Sequence, residues 1–170
     1  MPDEESSTLS SFALAVYGRE GVPAACLALQ DGLGVDVNVV LFAAFVGAVR
    51  GEVLTEADVA AAVARVGGWH RDVVVALRTV RRKLKGYPAP PSGVTAAAEL
   101  RSKIQGLEIE AELIELRELN ELAVEHCRST ADGGPAERAA AAMVAVTGPV
   151  DHDLRDAVER IAAGAAELAR

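Results

Sequence analysis

The sequence predicts an all-α protein, a compact helical bundle of about eight helices that includes one long Glu-rich helix. Three observations carry that prediction. Apolar residues recur at steps of three and four, and the strict alternation of a half-buried strand recurs nowhere. Hydrophobic residues make up 51% of the chain but aromatics only 4%, so the core must be built from Ala, Val and Leu in closely packed helices. Gly and Pro fall between the periodic segments, where they punctuate helices.

Taken in order, residues 1–10 are acidic and polar and read as a disordered N-terminus. A short helix over Phe12 to Tyr17 stops near Gly18 and Gly21. Pro23 suits the first turn of a second helix that runs to about Leu33. Asp36 stands where an N-cap belongs and opens a third helix ending near Gly51. Val39 to Val49 carry no charge and are apolar nearly all round, the mark of a central element. Within it Val40, Ala43 and Gly47 are small enough for a neighbouring helix to approach closely. The short connection between the second and third helices predicts an antiparallel hairpin.

Thr55 with Asp58 three residues on forms a capping box for a helix reaching about Val66. Gly67 and Gly68 then interrupt the pattern before "WHRDVVVALRTVRRKLK". The stretch "GYPAPPSG" stops a helix, so 87–93 reads as a Pro-rich linker between a helical core (11–86) and a second part (94–170). That second part opens on one helix of ~30 residues, or ~45 Å. An Ala-rich helical hairpin broken at "TGPVD" follows and is expected to pack on the core. Its last helix carries a stripe of Leu154, Val158, Ile161, Ala165 and Leu168.

The formal charge of −8 argues against a general nucleic-acid binder, which needs a basic footprint. Charge is unevenly spread, however. Between Arg65 and Lys85 seven basic residues face Asp72 alone, a local +6 that leaves −14 elsewhere. At 100° per residue, Val66, Trp69, Val73, Leu77, Val80 and Leu84 share a face, which puts Arg71, Arg78, Arg82 and Lys85 on a solvated one. Arg81 falls at the edge of the core with His70 just above it, positioned for an anion or a carboxylate partner. The partner can be internal: the long helix carries Glu108, Glu110, Glu112, Glu115, Glu118, Glu121 and Glu125, and would complement the basic run if folded across it.

Catalytic motifs are missing: the sequence has no Walker glycine loop, no G-x-S-x-G and no Cys-x-x-Cys. A helical di-metal site needs Glu-x-x-His pairs, and none of His70, His126 and His152 has a Glu three residues before it, so no metal and no cofactor is expected. Cys26 reads as a buried structural thiol, and two cysteines make no disulfide framework. Val39 to Val49 is about half the roughly 20 residues a membrane crossing needs, and the N-terminus lacks signal-peptide regions, so a cytoplasmic protein is expected.

What stands out is a pair of amides. Gln30 falls among Val22, Cys26, Leu29 and Leu33, and Asn38 projects in line with Phe42 and Phe45. A buried amide left unsatisfied costs ~1–3 kcal/mol. Either the two amides satisfy each other or a helix end, or they form the polar end of an apolar pocket reached by Arg81 or His70. Asp31 is turned away by the same geometry, and becomes a candidate base only if its helix is rotated.

The blocks "FALAVYGREGVPAACLALQDGLGVDVNVVLF" and "WHRDVVVALRTVRRKLK" resemble an uncharacterised bacterial family known only as a domain of unknown function. The likeness spans Phe12 to Lys85, with a weaker echo in "ELRSKIQGLEIEAELIE", and the tail after Ser129 departs from it. The resemblance implies a small, soluble helical protein and supplies no activity, cofactor or catalytic residue. Two classes of function follow. One is a helical interaction or regulatory protein, self-associating through its long or C-terminal helices or bound to a protein partner. The other is a small-molecule enzyme or binder, with a pocket between the second, third and basic helices. Gln30, Asn38 and His70 would serve that pocket, Arg81 would contact an anionic group, and Asp31 is the candidate base.

Overall fold

The structure is a computed structural model, and it describes residues 8–87, 94–126 and 128–169. Residues 1–7 of the expected disordered N-terminus, residues 88–93 of the expected linker, and Cys127 lie outside the described residues. The described residues form eight α-helices: α1 (Thr8–Tyr17), α2 (Val22–Leu33), α3 (Val37–Ala48), α4 (Glu56–Trp69), α5 (Val75–Lys85), α6 (Val94–Glu125), α7 (Pro135–Thr147) and α8 (His152–Glu167). A π-helical turn, His70–Val74, joins α4 to α5 without a break. The all-α expectation holds. One isolated antiparallel bridge, Glu52 with Thr130, ties the exit of α3 to the exit of α6.

α3 is the centre of the bundle. Every residue from Asn38 to Ala48 is buried, as its unbroken apolar composition requires. It packs chiefly on α7, with α1, α6 and α8 completing its surroundings. The crossing with α7 is made at Gly47, where Arg138 Nε donates to the Gly47 carbonyl at 3.1 Å. The predicted small-residue face of α3 is therefore the closest helix contact. α8 buries Val158, Ile161 and Ala165, with Leu154 and Leu168 packed beside them, as its stripe predicted.

Four expectations need correction. α1 starts at Thr8 and not near residue 12, because Leu9, Phe12, Ala13 and Val16 make one buried stripe at helical spacing. α2 and α3 touch only sparingly: α2 packs on α8 and α3 on α7, so the short connection does not make them partners. Gly67 and Gly68 do not interrupt α4. The intrinsic cost of glycine in a helix, ~1 kcal/mol each, is overridden by packing on α6.

The fourth correction decides the site. In the π turn the Val75 amide bonds to the His70 carbonyl, five residues back. That turn absorbs one extra residue, so everything after it is rotated by about 100° from a regular helix. Val80, expected inside, is 47% exposed, while the Arg78 side chain, expected in solvent, is only 13% exposed. Trp69, expected on the core stripe, is 39% exposed and anchors to α6 by donating Nε1–H to the Ala111 carbonyl at 3.0 Å.

α5 and α6 pack side by side, and the two charge runs meet. Arg65 pairs with Glu118 and Glu125, Arg78 with Glu108 and Glu112, and Arg81 with Glu108. Among the described residues no single helix is long and apolar enough to cross a membrane.

Candidate ligand cleft and carboxylate–histidine cluster

A cleft of about 370 Å³ lies between α1, α2, the start of α3, α5 and α6. Its existence follows from the ends of α2 and α3. Gly34, at φ 67°, closes α2 by donating its amide to the Gln30 carbonyl at 2.9 Å. This left-handed residue turns the chain so that Asp36 can cap α3, its Oδ1 accepting from the Asn38 amide at 2.9 Å. Gln30 and Asn38 consequently reach the same cleft from two sides.

The amides do not bond to each other. Gln30 Oε1 accepts from Arg78 Nη1 at 2.8 Å, and Asn38 Nδ2 donates to Glu115 Oε2 at 2.6 Å. Arg78 is the hub of one polar group. Its Nε donates to Glu108 at 2.9 Å and its Nη2 to Glu112 at 2.7 Å. Arg81 also donates to Glu108, through Nε at 2.5 Å and Nη2 at 3.2 Å. The anion expected at Arg81 is thus already present, as an internal carboxylate. Burial pushes the Glu108 carboxyl up, but hydrogen bonds from Arg81 and Arg78 outweigh it and hold it below its usual value. Glu112 goes the other way: burial raises it, and Arg78 only partly offsets that.

A second polar group sits behind the cleft wall. Glu115 is fully buried, and its Oε1 lies 3.0 Å from His70 Nδ1. The same nitrogen lies 3.2 Å from Asp36 Oδ2. Asp36 therefore caps α3 with one oxygen and faces His70 with the other. Burial, then the nearby charge of Glu115, pushes the Asp36 carboxyl up to about 6. A rise of that size disfavours the charged form by ~3 kcal/mol. The hydrogen bond with Glu115 raises His70, against the opposing effect of burial. One ligand atom each from Asp36, His70 and Glu115 lies within 4.8 Å of the others.

The expected site residues distribute as follows. Gln30, Asn38 and Arg81 line the cleft, and His70 stands behind Asp36. Asp31 is not on the cleft wall; its side chain is 59% exposed and lies 3.9 Å from Arg82. Three carboxylates line the cleft: Glu108 and Glu112, which pair with Arg78 and Arg81, and Asp36, whose capping role concealed its second oxygen. Burial pushes the Cys26 thiol up to about 12, consistent with a structural residue. Arg78, Glu108, Glu112 and Glu115 were read from sequence only as members of the two charge runs, with Arg78 on the solvated face, and not as site residues. A signal existed, because Glu108, Glu112, Glu115, Leu119 and Leu122 follow at steps of four and three. They form one stripe that is acidic at one end and apolar at the other.

Fold and site together define a class: an all-α bundle with a half-open cleft among five helices and a buried carboxylate–histidine cluster in its wall. The family described as "Protein of unknown function (DUF2390)" matches residues 8–119, and the chain belongs to it. The resemblance carried by the sequence blocks therefore holds. The matched segment includes every residue named in the cleft and the cluster, whereas α7 and α8 lie beyond it. No curated protein and no solved structure matches the chain.

Proposed function

We propose that this chain is a small-molecule-binding protein whose cleft takes a ligand with an apolar body and one uncharged polar end. The observation that carries this reading is a cleft of about 370 Å³ that reaches both Gln30 and Asn38 in place of a filled core. Ligand sites commonly occupy roughly 300–1,000 Å³, with apolar walls and a few convergent polar groups. Leu14, Leu27, Leu41, Ile109 and Leu113 supply the walls, and Asp36, Asn38 and Gln30 the polar end. An uncharged end is favoured because Arg78 and Arg81 are already neutralised by Glu108 and Glu112.

N-phenyl-1-naphthylamine, an uncharged aromatic probe with one N–H donor, is expected to bind at one per chain with a saturable rise in fluorescence. Leu27→Trp enlarges a half-exposed residue of the cleft rim and should weaken that binding about tenfold without cost to the fold. Unsaturable binding, or binding indifferent to Leu27→Trp, would sink the reading.

A second reading, self-association, is favoured by Leu100 and Leu107 on one face of α6, which are 50% and 51% exposed. On this reading light scattering gives a dimer that Leu100→Lys combined with Leu107→Lys converts to monomer. A native monomer removes the second reading and leaves the first intact.

A further inference from the structure

Asp36, His70 and Glu115 come from three separate elements: the cap of α3, the first residue of the π turn, and the middle of α6. Two buried carboxylate oxygens approach the same ring nitrogen, at 3.0 and 3.2 Å. A single N–H carries one proton and serves one acceptor well, so the second oxygen is poorly provided for. Among the described residues, Asp36 Oδ2 is a buried oxygen with no hydrogen-bond partner. The charge is unbalanced too. Two carboxylates against one histidine leave −1 with the imidazolium and −2 with the neutral ring, in a place where Glu115 has no solvent exposure at all. Uncompensated buried charge is costly, and native sites normally pair it or give it to a metal.

We infer that Asp36 Oδ2, His70 Nδ1 and Glu115 Oε1 bind one divalent first-row transition ion of the Zn²⁺, Fe²⁺ or Mn²⁺ type. An imidazole with two carboxylates is a donor set for these ions, while Ca²⁺ and Mg²⁺ prefer oxygen alone. Ligands about 2.0–2.1 Å from a tetrahedral ion stand about 3.3 Å from one another, close to the spacings seen here. A dication with neutral His70 brings the set to zero charge. Asn38 supplies the outer support that oriented ligands need, donating Nδ2–H to the other oxygen of Glu115 at 2.6 Å. The π turn places His70 at the cluster, a use of π geometry that recurs at functional sites. Asp36 and Asn38 also line the cleft, which gives the ion a route in.

The missing Glu-x-x-His pattern does not bear on such a site, because no two of its ligands lie within one helical turn of sequence. The inference also stands apart from the ligand reading: Leu27→Trp should leave metal binding unchanged.

The test uses the full chain, stripped with a chelator and titrated with Co²⁺ as a spectroscopic probe. One equivalent is expected to produce visible d–d absorption that Zn²⁺ displaces. His70→Asn and Asp36→Asn should each weaken binding by about tenfold or more. Asp36→Asn keeps a good N-cap residue, so the fold survives in at least that variant. His126→Ala and His152→Ala serve as controls, since those histidines also lie near carboxylates, at 3.7 Å from Asp58 and Asp153 respectively, and should bind as the native chain does. Absence of a saturable Co²⁺ spectrum in the native chain overturns the inference. So does binding that survives both His70→Asn and Asp36→Asn, or that is lost with either control.

Discussion

Gly47→Ala is expected to destabilise the protein by about 3 kcal/mol, the upper part of the range for overpacked cores. A Cβ at Gly47 would stand 2.6 Å from the Arg138 carbonyl carbon and 2.8 Å from the Ala139 nitrogen, and closest of all to the Arg138 oxygen. These are backbone atoms of α7, so no side chain can swing aside. The two helices must separate, and α3 is buried along its whole described length from Asn38 onward. Separation therefore loosens the centre of the core and not its edge. For a chain of this size that loss lowers the melting temperature by about 6–12 °C. Gly68→Ala is the matched control: nothing lies within 4 Å of its added methyl, and the helix should gain up to ~1 kcal/mol. Thermal melts of the two variants should move in opposite directions. A Gly47→Ala protein that melts like the native one would show that α3 and α7 do not cross at that residue.

Arg78→Met is expected to cost about 2–3 kcal/mol in denaturant unfolding. It removes the hub that serves Gln30, Glu108 and Glu112 at once. Breaking a buried ion pair by deleting one partner costs ~3–5 kcal/mol because the other charge stays behind. The lower figure applies because Arg81 still holds Glu108. A second substitution, Glu108→Gln, should recover part of the loss, and the resulting double-mutant cycle isolates the pair. The regular helical wheel makes the opposite forecast. It places Arg78 in solvent, where truncation changes stability by less than about 0.5 kcal/mol. A loss that small would return α5 to an unbroken α-helical register and remove the wall of the cleft.

That contrast explains how much was legible beforehand. Helix positions followed from local chemistry. Asp36 and the Thr55–Asp58 box cap the helices they were expected to cap. Gly34 closes α2 with a positive φ, and the uncharged composition of α3 requires a central place. The burial of Asn38 was legible too, since it falls on an apolar face, while Gln30, expected among buried neighbours, is only half-buried. Their partners were not legible. Both bond to side chains some 48 and 77 residues away, Arg78 and Glu115, and no local pattern encodes a contact at that range. Asp36 was half legible: the cap follows from its position, while the oxygen aimed at His70 depends on a helix 34 residues further on.

The sequence by itself determined the helices, their caps and the apolar character of α3, because these depend on residues within a turn or two of one another. The π turn was hidden because its extra residue is a backbone event that leaves the letters unchanged, yet it decides which residues of α5 face inward. Only the tertiary structure could bring the α3 cap, the π turn and the acidic end of the α6 stripe together. Helix formation is governed by local hydrogen bonds and side-chain spacing, whereas a site assembled from several elements depends on how those elements pack.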